Sequence, residues 1–244
     1  MLHDANTSPD HDIPLVRDAA KLRKFIAHVN PDPLAYCGWR APLAFTNLAI
    51  SDGRTLDLRR PESTAEVIEL SDVATALARI CRFTGHTEDF YSAAQHSVLV
   101  SYLVPTGIAL QALLHDAAEA YIGDISSPMR AMLGATYLGS LEYRLLDLIY
   151  ERIGRKRPKN DARVQVADDL ALCWEMRDQL DRVPPPEIAH LMPDERLEGM
   201  EWQHARTLFL ERLNELLDRE PPAGAAVPKP VNPPRDLLAA AVAS

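Results

Sequence analysis

A mainly α protein of about six helices, preceded by one small β-hairpin, is the fold class this sequence predicts. From about Ser71 onward, apolar residues recur three and four apart through six separate stretches, most of them closed by glycine or proline. A single pair of short alternating runs flanks Asp52-Gly53, the residue pair that suits a tight turn because glycine tolerates positive φ. No repeat is visible at any fixed period.

The elements follow in order. "LAFTNLAISDGRTLDL" supplies the hairpin. "SDVATALARICRF" places Val73, Leu77, Ile80 and Cys81 on one helical face, with Ser71 as the candidate N-cap. "DFYSAAQHSVLVSYLV" continues the pattern through Ala93, His96, Leu99, Val100 and Leu103 and stops at Pro105. "GIALQALLHDAAEAYIG" reads as a third helix closed by Gly123. "YLGSLEYRLLDLIYERIG", "DARVQVADDLALCWEMRDQL" and "EWQHARTLFLERLNELL" complete the six, the fifth stopped by Pro184 to Pro186. The leucines of the fourth fit either a helix packed inside the domain or a dimer face.

At 244 residues, 47% of them hydrophobic, the chain suits one domain with a sizeable core or at most two small ones. The expected organisation is an N-terminal extension over 1–40, a helical domain over 41–218 and a Pro/Ala-rich tail over 219–244. A net charge of -9 argues against polymeric nucleic acid and against a membrane surface as partner, while leaving a single nucleotide open. Cys37, Cys81 and Cys173 are odd in number and far apart, so neither a disulfide framework nor a zinc knuckle is indicated. The polar, acidic start "MLHDANTSPDHD" is unlike a signal peptide, and no apolar run approaches a membrane span, so a cytoplasmic location is expected.

The chemistry concentrates in "ALLHDAAEAYIGD", Ala112 to Asp124. On a helix, His115, Asp116 and Glu119 project over neighbouring arcs of one surface, and the apolar residues around them turn that surface inward. A buried carboxylate without a partner is costly, and a divalent metal would satisfy it. His96 on the preceding helix and Asp168 in "VQVADDLAL" are further polar residues at core-like positions. His96, His115, Asp116 and Asp168 together make a mixed nitrogen and oxygen set suited to one divalent ion, Mn, Co, Fe or Ni, with Mg admissible. Four protein ligands leave positions open for water and substrate, which is a catalytic arrangement.

At these residues the sequence resembles a known family. "QHS", then "LLHDAAEAYIGDISSP", then "VADDLA" are similar to the H...HD...D signature of HD-domain metal-dependent phosphohydrolases, nearest the bacterial and phage branch of 5'-deoxynucleotidases. The similarity runs from about Gly53 to Leu217. It implies that the four residues hold the metal, that Glu119 orients or activates the attacking water, and that Asp124 protonates the leaving group or positions the sugar. In "RICRFTGHT" it implies Arg82 on phosphate and Phe83 against the nucleoside, where the nucleotidases carry a Trp. His86 lies outside the core signature, as a substrate contact or a partner to a ligand, and Arg130 after "SSPM" is a second phosphate candidate. A homodimer is admitted by analogy with the family.

Each residue also has a plainer reading. His96 alone would be a hydrogen-bonded core histidine, and only its co-occurrence with the other three reverses that. Asp168 and its neighbour Asp169 could exchange roles, and Asp124 after Gly123 could be a turn residue or cap. Arg82 and Phe83 could be a salt-bridged arginine and a core aromatic. His190 and His204 read as structural or exposed, and Trp174 and Trp202 as core. The expected activity is release of phosphate from a 5'-deoxynucleoside monophosphate. The alternatives are attack on a deoxynucleoside triphosphate or cyclic nucleotide, and a metal-containing nucleotide sensor without turnover.

Overall fold

A computed structural model describes residues 47–133 and 135–219. The chain divides into two units, 1–47 and 48–244, and all the described residues except Asn47 belong to the second. The expected N-terminal extension and the Pro/Ala-rich tail lie outside the described residues.

The described chain is mainly helical with one two-stranded antiparallel sheet, as the sequence predicts. Strands β1 (Asn47–Ala49) and β2 (Thr55–Asp57) are joined through a 3-10 turn at Ser51–Gly53. The Ile50 N–H donates to the Arg54 carbonyl at 2.9 Å, so the loop has three residues, and Gly53 supplies the positive φ of 72° that this turn needs.

Nine α-helices follow among the described residues. They are α1 (Leu70–Arg79), α2 (Ala93–Tyr102), α3 (Thr106–Leu113), α4 (Glu119–Ile122), α5 (Ser127–Leu133), α6 (Ala135–Arg152), α7 (Ala162–Leu180), α8 (Pro186–Ala189) and α9 (Trp202–Arg219). Short helices α5 and α8 fall where sequence reading placed only connections. Helix α1 starts one residue before Ser71, with Glu69 at the cap position and no side-chain cap, so Ser71 does not cap it. Ser92 does cap α2, accepting from the Gln95 N–H at 3.1 Å, and Asp161 caps α7.

Helix α2 is the axis of the fold. Ala93 through Ser101 are all buried, because α1, α3, α7 and α9 pack around it. The core that surrounds it includes Trp174, Phe209, Leu77, Leu113 and Ile149, none more than 1% exposed. On α6, Leu141, Leu145, Leu148 and Ile149 are buried within the chain, while Tyr143 on the same helix is exposed. Trp174 is core and Trp202 is half-buried, its ring covered by the Arg79 guanidinium at 4.1 Å, while His190 and His204 are exposed.

The third predicted helix is broken, and the break positions the chemistry. Helix α3 stops at Leu113, and a stretch of tightened turns runs to Glu119, with the Ala117 N–H donating to the Leu114 carbonyl and the Glu119 N–H to the Asp116 carbonyl. A regular helix would require the Ala112 carbonyl to accept from the Asp116 N–H. Instead the His115 imidazole bonds that carbonyl, Nδ1 to oxygen 2.7 Å, and side-chain competition of this kind weakens α-helical bonding at the point where the tightened turns begin. Gly123, at φ 78°, then closes α4.

Candidate metal centre

His96, His115, Asp116 and Asp168 come together from α2, the break after α3, and α7. The ligand atoms of His96, His115 and Asp116 all lie within 4.8 Å of one another. His96 Nε2 stands 3.4 Å from His115 Nε2, 3.7 Å from Asp116 Oδ2 and 3.1 Å from Asp168 Oδ1. His115 Nε2 stands 3.1 Å from Asp116 Oδ2 and 3.7 Å from Asp168 Oδ1. Atoms each about 2.1 Å from one ion stand about 3 Å apart along an octahedral edge, so these separations fit a single divalent ion with small adjustments. Neighbouring residues on a regular helix diverge by about 100°, and it is the break that lets His115 and Asp116 converge.

Both imidazoles present the same nitrogen, for stated reasons. His96 Nδ1–H donates to Glu175 Oε1 at 2.6 Å, and His115 Nδ1–H donates to the Ala112 carbonyl, which leaves each Nε2 lone pair available to a metal. Of the adjacent acids, Asp168 is half-buried and faces the imidazoles, while Asp169 is exposed and accepts from Gln165.

The electrostatics describe a site short of positive charge. Burial alone would depress the His115 imidazole, but the Asp116 carboxylate in contact with it, joined by Asp168, carries it well above its ordinary value. Burial would likewise raise Asp116, yet the charge of His115 holds it down at about 2, and Asp168 is lowered by the same imidazoles. Protons on the two rings therefore do what a dication would do better. Glu119 is buried, 5% exposed, and its Oε2 has no hydrogen-bond partner among the described residues. Its burial, with Asp116 and Asp124 nearby, pushes its carboxyl up to about 9. Asp124 is raised as well, chiefly by burial.

A cavity of about 900 Å³ opens in front of the cluster, a volume suited to a small-molecule ligand. Arg82, Phe83, His115, Asp116, Glu119, Asp124, Arg130 and Asp168 all line it. Arg82 is positioned by two backbone bonds that tie its segment to the start of α2: its N–H donates to the Tyr91 carbonyl and the Ala93 N–H to that of Ile80. The chain then turns through two left-handed residues, Phe83 and Thr84, both at φ 53°. Arg130 lines the same cavity, its guanidinium paired with Glu142 and 3.7 Å from Glu119 Oε1. His86 is exposed and does not line the cavity, so the structure does not bring it to this site.

Sequence reading missed Glu175. It is fully buried on α7, and it accepts from His96 Nδ1 through one oxygen and from Arg82 Nε and Nη2, at 3.0 and 2.9 Å, through the other. Its signal was present: it lies seven residues after Asp168, two turns along the same face, and it is an acid among apolar neighbours in "LCWEMR".

Over 159 residues the chain is 36% identical to an Escherichia coli K12 protein named "Uncharacterized protein YfdR", covering 61% of this chain and 84% of that protein. It is 41% identical over 111 residues to an uncharacterized protein of Rhodobacter capsulatus, covering 42% of this chain and 55%, about half, of that relative. No protein-family model matches the chain.

Proposed function

We propose that this chain, which belongs to the family of the Escherichia coli protein YfdR, is an HD-domain phosphohydrolase that uses one divalent ion to release phosphate from a 5'-deoxynucleoside monophosphate. One observation carries the reading: two imidazoles and two carboxylates from three chain segments converge at a cavity that also holds a buried, partnerless Glu119 oxygen and the Arg82 guanidinium. Without a cation, Asp116 and Asp168 depend on protonated imidazoles for compensation and Glu119 on keeping its own proton, a costly arrangement that a purely structural protein does not need.

The four residues would hold Mn, Co, Fe, Ni or Mg. Such an ion supplies charge neutralisation to the phosphoryl oxygens and lowers the pKa of water. Arg82, kept protonated by Glu175 and Asp116, has Nε and Nη2 bonded to Glu175 and its Nη1 4.0 Å from Asp116 Oδ2, so Nη1 is the donor nearest the candidate metal ligands and the one that reaches a remaining phosphoryl oxygen. Glu119 carries a proton at neutral pH in the metal-free protein. The Glu119 carboxyl would be lowered by a dication held by the four residues, and Glu119, facing the cavity beside Asp116, would then be the group that accepts the proton of the attacking water. Asp124, with its value raised by burial, supplies a proton to the leaving oxygen. Phe83 gives an apolar wall for the nucleoside. The substrate class and the absence of a helix long and apolar enough to cross a membrane among the described residues are both consistent with work in the cytoplasm.

A longer phosphate chain is the second reading, favoured by Arg157 and Arg182 in the cavity wall. It ranks below the first because two of the further arginines of the wall, Arg130 and Arg157, are already paired with Glu142 and Asp147. The test is inorganic phosphate release from a panel of deoxynucleoside mono-, di- and triphosphates. Metal-stripped protein is resupplied with Mn, Co, Mg or Ni, with Asp116→Ala alongside. Metal-dependent phosphate from monophosphates alone, lost in the variant, is the expected result. Nucleotide binding without turnover of any substrate overturns the enzyme reading in favour of a sensor.

A further inference from the structure

The buried Glu175 carboxylate joins two groups that the reaction uses separately. One oxygen accepts from His96 Nδ1 at 2.6 Å, and the other accepts from Arg82 Nε and Nη2 at 3.0 and 2.9 Å. His96 and Glu175 are both 0% exposed and Arg82 9%, so water does not compete at this point. A carboxylate accepts only, and the three groups bonded to it at these distances are N–H donors, with the buried Tyr91 hydroxyl also beside it. We propose that Glu175 is a positioning residue shared by the metal centre and the anion site: it fixes the His96 tautomer that presents Nε2 to the metal and fixes the Arg82 face that presents Nη1 to the phosphoryl group.

The two duties are separable by chemistry. Only the Arg82 half rests on the phosphohydrolase reading, whereas the His96 half concerns a metal ligand alone. Glutamine at this position keeps the shape but offers one acceptor and one donor. The charged, two-pronged Arg82 donor takes the amide oxygen, because hydrogen bonds from an ionised donor are the stronger. The amide NH2 then faces His96 Nδ1, which must become an acceptor, and the ring proton moves to Nε2, the atom needed by the metal. Glu175→Gln is therefore expected to lose metal through a tautomer change while the packing stays intact. Removing Arg82 as well frees the amide oxygen to turn back to His96. The double variant Glu175→Gln/Arg82→Leu is thus expected to regain the Nδ1–H tautomer, a rescue that a merely structural role does not predict.

The experiment is 15N-detected NMR of the histidine rings in the metal-free full-length protein at alkaline pH, paired with Mn titration of the same samples. The expected pattern is His96 Nδ1–H in the natural protein, Nε2–H in Glu175→Gln, and Nδ1–H again in the double variant. Mn affinity should fall about 10- to 100-fold in the single variant, the range typical for loss of a carboxylate behind a ligating histidine, and recover in the double. Natural protein with His96 protonated at Nε2, or Glu175→Gln with unchanged tautomer and Mn affinity, overturns the proposal, and the first of these needs no variant to fold. Because neither readout uses a nucleotide, failure of the phosphatase assay with the tautomer pattern intact would count against the proposed reaction and not against Glu175.

Discussion

Glu119→Gln separates the stability of this protein from its chemistry. The Glu119 carboxyl rises from an ordinary 4.5 to about 9 in the folded, metal-free chain, through burial first and then the Asp116 and Asp124 charges. Between those values the folded state binds a proton that the unfolded state has released, so stability falls as pH rises across that window and levels off above it. Each unit of difference corresponds to about 1.4 kcal/mol, so raising the pH from 5 to 8 costs the natural protein up to about 4 kcal/mol at this one residue. Local relaxation and water entry will reduce that figure, and a loss of about 2 kcal/mol is expected. Glutamine does not titrate. Urea unfolding of both proteins with a chelator present, at pH 5 and at pH 8, isolates the contribution, because the other titrating groups are common to the pair. The variant should gain on the natural protein as pH rises. A stability difference that is the same at both pH values would refute the assignment of Glu119 as a buried, protonated carboxyl.

Metal binding should expel protons: with both imidazoles raised and Glu119 protonated, one to three leave per ion at pH 7, and affinity should climb about tenfold per pH unit for each. Calorimetry in two buffers of different ionisation enthalpy counts them, and a count of zero contradicts the site. Thr84, exposed and held at φ 53° with a β-branched side chain, should be improved by Thr84→Gly, which relieves about 1 kcal/mol of backbone strain and raises Tm by a few degrees in a thermal melt. Arg212 is buried on α9, where it donates to the Ser101 hydroxyl and carbonyl and pairs with Glu215 at 2.8 Å. Arg212→Ala leaves the buried Ser101 acceptors without this donor and should cost about 2–4 kcal/mol in urea unfolding, at a residue outside the cavity lining and without effect on metal affinity.

The long helices were legible because their period is written in the apolar residues. α7 begins one residue after the predicted start at Asp161 and ends with it, and α9 begins one residue inside the predicted span. Helix α2 was legible as a helix and illegible as the axis: a face-based reading assigns one inward stripe, while Ala94, Ser97, Val98 and Ser101 on its other sides are equally buried. Small residues at those positions let four helices approach, and smallness carries no periodic signal. The ligand candidates His96, His115, Asp116 and Asp168 stood out as polar residues in apolar runs. Glu175 satisfies the same criterion and passed unnoticed because it lies outside the motif that drew attention to the others.

What the sequence could not convey was the break between α3 and α4, since nothing in "QALLHDAAEA" is a helix breaker. The interruption comes from the functional residue itself. When His115 turns Nδ1 onto the Ala112 carbonyl it competes with the Asp116 amide for the acceptor that would have continued the helix, and in the same orientation Nε2 stands beside Asp116 and Asp168. Forming the candidate metal centre and ending the helix are therefore one event. A consequence follows for any variant at 115 that cannot reach that carbonyl. The Asp116 amide should recover its helical bond, Asp116 should swing away from His96, and the site should lose two ligands for one substitution, so that additivity between His115 and Asp116 variants fails.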